Sequence, residues 1–176
     1  LVSSSAASDV YKRQPLLRAS APARIVIVAS DAHQFTKGLD FDDLNASGGR
    51  FGAARGLAVY SRSKLANMLH AHELAKRVPA EEVTVNCLHP GAVRTRLGRD
   101  TEATRLSNVV WPLVSRFFLT PEKGARTSVW AATAPELEGV TGAYLAKSKV
   151  KKPRRTARDD AAAERLWDVS EELTGG

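Results

Sequence analysis

The chain has 176 residues, of which 43% are apolar and 26% charged, and this balance excludes a chain that is disordered throughout. Its formal charge is +7, and its one cysteine, Cys87, excludes an internal disulfide bridge. The longest apolar candidate for a membrane-spanning helix is interrupted by Pro112 and Arg116, well short of the roughly 18 residues that a span needs. The composition predicts a globular domain with an apolar core, and we expect a cytoplasmic protein.

Residues 1–14 show neither helix nor strand periodicity, and they lack the apolar core and cleavage site of a signal peptide. The string SDVYKRQ within them resembles translated sequencing-adaptor sequence. We therefore expect a foreign or disordered tail, and we expect residues 15–176 to form the domain.

The first half of the domain predicts one crossover unit. A β-branched run over residues 24–30 is typical of a strand buried on both faces in a parallel sheet. Residues 31–56 predict a long loop, and the apolar spacing of residues 57–78 predicts the main helix. A second buried strand is predicted over residues 83–88, before the His-Pro-Gly sequence at residues 89–91. Strand, helix and parallel strand indicate an α/β fold.

The second half is less regular. The apolar patch at residues 109–119 predicts either core packing or a wall for an apolar ligand. Thr120 and Pro121 are typical of the cap and the first residue of a helix that ends before Pro135. A short third strand is predicted over residues 142–146.

A last helix is predicted to begin at Asp159 and Asp160 and to stop at Gly175, with Leu166, Trp167 and Leu173 on its apolar side.

The net charge is concentrated in one segment, residues 147–158. Seven cations lie there without an acid between them: Lys147, Lys149, Lys151, Lys152, Arg154, Arg155 and Arg158. The rest of the chain carries no net charge. We predict a solvated basic loop, and the alternative is a site for the phosphates of nucleic acid or anionic lipid.

The residues with catalytic chemistry are Tyr60 and Lys64, which are four apart and therefore share one helix face. An ammonium beside a phenol favours the phenolate and makes the tyrosine a usable acid and base. Ser30 ends the first predicted strand, at the edge where open parallel sheets place ligand sites. The turn that follows the second strand ends at the same edge, so three elements are predicted to converge on one crevice.

The other polar residues that could carry chemistry are expected to have structural roles. Asp40, Asp42 and Asp43 have no histidine at ligand spacing, and they predict a solvated loop rather than a metal site. Four histidines and the cysteine are expected to be structural: His33 and His89 through hydrogen bonds, His70 and His72 on different helix faces, and Cys87 as buried filler.

The motifs RIVIVASDAH, LDFDDLN, YSRSKLANMLHAHELAKR, VNCLHPGAVRTRL and AERLWDVSEELTG resemble the retinol-dehydrogenase-like branch of the short-chain dehydrogenase/reductase superfamily. The resemblance covers residues 15–176. It implies a doubly wound, Rossmann-like parallel sheet, NADP or NAD as cofactor with NADP favoured, and an apolar alcohol or carbonyl substrate. It implies no nucleic-acid partner and leaves homo-oligomer formation open.

The resemblance also implies a role for each matched residue. Tyr60 matches the catalytic acid and base, Lys64 matches the residue that lowers the tyrosine pKa and binds the nicotinamide ribose, and Ser30 matches the serine that polarises the carbonyl. Four residues match the stretch beside the nicotinamide: Pro90, Gly91, Val93 and Thr95. The hydride belongs to the cofactor. The alternative is a non-catalytic module that binds nucleic acid or anionic lipid through residues 147–158.

Several features of the family are missing from this sequence. It has no Gly-x-x-x-Gly-x-Gly turn for the pyrophosphate, no Asn-Asn-Ala-Gly stretch and no counterpart of the helical asparagine of the catalytic tetrad. Ala29 replaces the first of two serines commonly found at the strand end. We therefore expect the C-terminal part of a larger domain whose N-terminal half is missing.

This expectation leads to a prediction for the 176-residue chain as written. Without the glycine-rich turn, only the nicotinamide end of a dinucleotide finds partners, so binding should be weak and turnover absent. Calorimetric titration with NADPH and NADH measures this affinity. A micromolar dissociation constant for either dinucleotide would contradict the prediction.

Overall fold

A computed structural model describes residues 15–44, 52–93 and 119–174, except for the side chains of residues 52–54. Three predicted features lie outside the described residues: the tail at residues 1–14, the site residue Thr95, and the apolar patch up to residue 118.

The described strands and helices follow one another in turn, except that two strands are consecutive before the last helix. They are β1 (Ala23–Val28), α1 (Gly52–Arg77), β2 (Val83–His89), α2 (Pro121–Thr133), β3 (Tyr144–Ala146), β4 (Lys149–Lys151) and α3 (Asp160–Thr174). Three short 3₁₀ helices lie between them, at Asp31–Phe35, Pro135–Leu137 and Arg155–Arg158.

The strands form one sheet in the order β1-β2-β3-β4. The first three strands are parallel, with Ile25 opposite Val85 and Cys87 opposite Tyr144. The fourth strand is antiparallel to β3. A parallel pair joined by a helix is the predicted crossover unit, and the α/β fold class is confirmed.

Two apolar clusters cover the two faces of the sheet. On one face, α1 and α3 pack against Val83 and Val85 of β2, and Leu65, Leu69 and Leu74 of α1 have no exposed surface. On the other face, Leu88 of β2 packs with Leu145 of β3 and with α2. Because side chains alternate along β2, this strand supplies both clusters, and all of its residues except His89 are buried.

The prediction that the first strand is buried on both faces is wrong. Of β1, only Ile25 is buried, and Val28 is 46% exposed. The reason is its place in the sheet: within the described residues β1 pairs only with β2. Its β-branched composition fits a central strand as well as this position.

Two helix predictions also need correction. Helix α1 begins at Gly52 rather than residue 57, and Ala53, Ala54 and Arg55 in this added turn favour helix. The prediction that Leu173 lies on a buried face is wrong, since it is 72% exposed. The buried residues of α3 lie in its first two turns, and Leu173 lies near the other end of the helix, beyond the part that packs on the core.

The predicted cap of α2 is confirmed, since the Thr120 hydroxyl accepts a hydrogen bond from the Lys123 N–H at 3.4 Å.

The basic segment is not the predicted loop. Residues 149–151 form β4, and Arg155–Arg158 form a 3₁₀ helix. Lys147 and Ser148 both have positive φ, at 54° and 51°, and they connect β3 to β4 as a two-residue turn. Such turns normally carry Asn or Gly, so the Lys-Ser pair gives no sequence signal for a hairpin.

Within the described part of the chain, every helix is too short or too polar to cross a bilayer.

A stacked pair of rings joins α1 to α3. The ring of His70 lies parallel to Trp167, with 6° between the planes and 5.4 Å between centroids. Burial lowers the pKa of His70 below its ordinary 6.5, so the folded protein favours the neutral ring.

This stack predicts a pH-dependent stability. The neutral, buried His70 contributes to the stability of the folded state. This contribution is fully present above the unfolded-state pKa of about 6.5 and is lost as the pH falls through the lower folded-state pKa. Urea unfolding should therefore show a smaller free energy of unfolding at about pH 5 than at about pH 7. His70→Phe keeps a flat ring on Trp167 without a proton site, so this variant should lose less stability over the same range. His89 contributes in the same direction and remains in both proteins. Equal losses in both proteins would contradict the prediction.

Candidate active site at the carboxyl edge of the sheet

Ser30 lies just beyond the carboxyl end of β1 and caps the 3₁₀ helix Asp31–Phe35. Its Oγ accepts a hydrogen bond from the Ala32 N–H at 3.2 Å. Its carbonyl accepts from the His33 N–H at 3.1 Å and from Nδ1 of the same residue at 2.7 Å. A hydroxyl that accepts a backbone N–H still carries its own proton. Ser30 is thus held by its neighbours in a state in which it can donate to a substrate oxygen.

Tyr60 and Lys64 lie on one face of α1, as predicted from their spacing. The Lys64 Nζ is 5.6 Å from the centroid of the Tyr60 ring. The neighbouring Ser61 is fully buried and bonds back to the Leu57 carbonyl at 2.7 Å. Since Ser61 faces the core, Tyr60 and Lys64 occupy the partly exposed side of the same turns. A cation and a phenol in this arrangement can act together on a proton.

Asn67 is a site-forming residue that we did not single out from the sequence. Its Nδ2 donates to the Val28 carbonyl at 3.1 Å. This bond ties α1, one turn after Lys64, to the last residue of β1. The helix also packs against the 3₁₀ helix that Ser30 caps. Ser30, Tyr60 and Lys64 therefore lie at the same edge of the sheet, and their catalytic roles remain predictions.

The segment that follows β2 packs against Leu119 and is bonded to its backbone. Gly91 has a φ of +97°, and a Cβ at this position would lie 2.5 Å from Leu119 Cδ1. The Leu119 N–H donates to the Ala92 carbonyl at 2.7 Å, and Val93 forms a parallel bridge with Leu119. Glycine is the residue that this turn requires. Pro90, Gly91 and Val93 thus lie at the predicted edge, and Thr95 is outside the described residues.

The predicted structural residues are packed and bonded. His33 is buried and bonds to the Ser30 carbonyl, as described above. His70 contacts Trp167 and His72 bonds to Asp160 at 2.9 Å, so both histidines contact α3. Burial raises the pKa of the Cys87 thiol to about 12, which makes a thiolate unavailable at neutral pH.

The acidic residues after the 3₁₀ helix do not form a metal site in the part of the chain that is described. No group of three His, Cys, Asp or Glu side chains with metal-binding geometry occurs there. Instead, Asp42 Oδ1 lies 3.9 Å from Arg165 Nη2 as an ion pair. The Asp43 backbone carbonyl accepts a hydrogen bond from Arg62 Nη1 at 3.2 Å.

Comparison with known proteins gives relatives over most of the chain. Retinol dehydrogenase 14 of Homo sapiens is 45% identical over 161 residues, which cover 91% of this chain and 46% of that protein. Retinol dehydrogenase 13 of Homo sapiens is 41% identical, over 90% of this chain and 48% of that protein. The WW domain-containing oxidoreductase of Danio rerio is 37% identical, over 91% of this chain and 39% of that protein. No family model matches the chain.

A solved structure supports the fold. The crystal structure of an uncharacterized protein from Mycobacterium paratuberculosis superposes with a TM-score of 0.59 at 28% identity, over 87% of this chain and 50% of that one. The open sheet with helices on both faces defines a Rossmann-like α/β protein, as predicted.

Within this class, the predicted resemblance to the short-chain dehydrogenase/reductase superfamily, in its retinol-dehydrogenase-like branch, is confirmed. The chain spans about half the length of the curated relatives that it matches.

The superfamily uses a nicotinamide cofactor, and the described residues fit its nicotinamide end. The Lys64 ammonium and the Tyr60 hydroxyl are the kind of donors that ribose hydroxyls need. The turn at Pro90 and Gly91 presents backbone without a side chain at the glycine, where a Cβ has no room.

A packing contact behind this turn gives the next prediction. Gly124 of α2 lies against Val93, and a Cβ at Gly124 would overlap the methyl groups of that valine. Valine is stiff at χ1, so the backbone of the turn would have to move. We expect Gly124→Ala to destabilise the fold by about 1–3 kcal/mol, despite the better helix propensity of alanine.

Gly56→Ala is the matched control, because Gly56 is also helical and has nothing within 4 Å of an added Cβ. This variant should stabilise the protein by about 0.5–1 kcal/mol. Urea unfolding of both variants measures the difference, and stabilisation of the protein by Gly124→Ala would contradict the predicted overlap with Val93.

Proposed function

We propose that the protein containing this chain is a nicotinamide-dependent oxidoreductase that transfers a hydride between the cofactor and an alcohol or carbonyl carbon. The observation that carries the proposal is that Lys64 lies over the Tyr60 ring on helix α1. The side chain of Asn67 bonds this helix to the end of β1, just before Ser30. The relatives named retinol dehydrogenases favour the same chemistry.

In this proposal each residue has a role in handling the proton and the substrate oxygen. The Tyr60 hydroxyl gives a proton to the carbonyl oxygen during reduction and takes it back during oxidation. Lys64 binds the nicotinamide ribose through its ammonium group. Ser30 donates its hydroxyl proton to the same substrate oxygen, which polarises the carbonyl. The cofactor, when bound, supplies or accepts the hydride.

The cofactor and substrate classes follow from the family. Tyr60, Lys64, Pro90, Gly91, Val93 and Thr95 are the residues proposed to hold the nicotinamide end. Of the two dinucleotides we expect NADP, because the retinol-dehydrogenase-like branch favours it. The substrate is expected to be an apolar alcohol or carbonyl compound of the retinoid type, as the names of the relatives suggest.

The structure gives little support to the alternative of a nucleic-acid or lipid-binding module. Lys149 and Lys151 are exposed on β4, the outer strand in the described sheet. Charged side chains, lysine above all, are a common protection of such strands against pairing with another chain. Arg154 of the same segment donates to the Gln34 carbonyl at 2.9 Å, which is a structural bond.

The catalytic proposal predicts the effect of removing the Tyr60 hydroxyl. In an active protein that contains this chain, Tyr60→Phe keeps the ring and removes the proton donor. Turnover should fall by at least about 100-fold, with the fold retained by circular dichroism. Lys64→Met should also reduce turnover and should weaken binding of the dinucleotide.

The matched control is Lys76→Met on the same helix. Lys76 pairs with Glu73 and Asp160 at the far end of α1, so this change leaves the proposed site intact. Turnover close to wild type in Tyr60→Phe, or equal effects of the two lysine variants, would argue against the mechanism.

A further inference from the structure

Three neighbouring strands meet at one carboxylate beside the proposed site. Asp31 follows Ser30, His89 is the last residue of β2, and Tyr144 is the first residue of β3. The Tyr144 hydroxyl donates to Asp31 Oδ1 at 2.6 Å, and Asp31 Oδ2 lies 3.2 Å from His89 Nε2. The Asp31 backbone N–H donates to His89 Nδ1 at 3.2 Å. We call these three residues the Asp31 cluster.

The contacts assign the proton on His89. A ring nitrogen that accepts a backbone N–H carries no proton, so Nδ1 is the acceptor and the proton of the neutral ring lies on Nε2, which is 3.2 Å from the carboxylate. The cluster therefore requires a neutral His89. Burial lowers the pKa of His89, and the nearby His33 and Lys147 act in the same direction, whereas Asp31 opposes them. Burial and Asp31 together raise the pKa of Tyr144, so its hydroxyl remains a donor.

The cluster joins the two chain segments that flank the proposed site. Asp31 is covalently next to Ser30, and His89 is covalently next to Pro90. Two hydrogen bonds of Asp31 and its contact with His89 Nε2 connect these two turns and Tyr144 without using the hydroxyl of Ser30. Catalysis is sensitive to such placement, because a misplacement of about 1 Å can cost about 100-fold in rate.

We propose that Asp31 is a positioning residue: through His89 and Tyr144 it holds the turn that carries Ser30 against the Pro90–Gly91 turn. The carboxylate itself does not touch the reacting atoms in this assignment. The inference rests on the proposed oxidoreductase function, because the segments that it aligns are those proposed to bind the substrate oxygen and the nicotinamide.

The first test measures the cluster without any activity. Nitrogen-15 NMR of the 176-residue chain labelled at histidine distinguishes a protonated from an unprotonated ring nitrogen. We expect His89 at neutral pH to carry its proton on Nε2 and none on Nδ1. Asp31→Ala keeps the backbone N–H at Nδ1 and removes the carboxylate near Nε2, so we expect it to shift the Nε2 resonance. His72, which bonds to Asp160, serves as the internal control and should not change. A charged His89, or one with the proton on Nδ1, would overturn the cluster.

The second test measures turnover in an active protein that contains this chain. Asp31→Ala should lower kcat per folded molecule by about 10- to 100-fold, with the dinucleotide Kd changed by less than about twofold. Asp31→Asn should restore most of the rate, since its amide oxygen can accept from His89 and its amide N–H can donate to the Tyr144 oxygen. A role in stability alone would lower the folded fraction and leave kcat per folded molecule unchanged.

A third variant asks whether the residues act as one unit. Tyr144→Phe removes the bond to Asp31 and keeps the ring that contacts His33 at 5.6 Å. It should lower kcat in the wild-type background and have little further effect in the Asp31→Ala background. Additive effects would contradict a shared role.

The outcomes separate this inference from the proposed function. A wild-type protein without dehydrogenase activity would disprove the proposed function, and the positioning role would fall with it. An active wild type with unchanged kcat in Asp31→Ala would disprove the positioning role alone.

Discussion

The packing of helix α1 on the sheet is the constraint on which the rest of the structure depends. Three leucines of α1, Leu65, Leu69 and Leu74, lose all of their exposed surface against the strands and α3. Burial of one such side chain contributes about 1.5–3 kcal/mol, so the helix has one favourable rotation about its axis. That rotation turns Ser61 inward and leaves Tyr60 and Lys64 on the open side. The geometry of the proposed site is therefore a consequence of core packing.

Parallel pairing explains why the polar residues of the site meet. Strands β1, β2 and β3 run in one direction, so the segments that follow them lie at one edge. Two backbone groups there bond to side chains: the Val28 carbonyl accepts from Asn67, and the Asp31 N–H donates to His89. Unpaired backbone polar groups would be costly at a partly buried edge, so these bonds stabilise the edge as well as ordering it.

Much of the fold was predictable because its signals are local. The helical register of Tyr60 with Lys64, the alternation in β2 and the Thr120 cap each depend on a few neighbouring residues. The errors concern properties set by distant residues. The exposure of β1 depends on which strands flank it, and the turn at Lys147 forms because β3 and β4 pair, although its residues have no turn signature.

The sequence by itself determined the family resemblance, the crossover unit and the residue types of the proposed catalytic group, since a motif of fixed spacing on a helix carries its own geometry. Only the tertiary structure decided how Asp31, His89 and Tyr144 come together, because they lie on three separate segments, with Asp31 and Tyr144 separated by 113 positions. No periodicity links such residues. Their contact exists because the parallel sheet brings the start of β3 beside the ends of β1 and β2, and a hydrogen bond forms only between groups that the fold has already placed within reach.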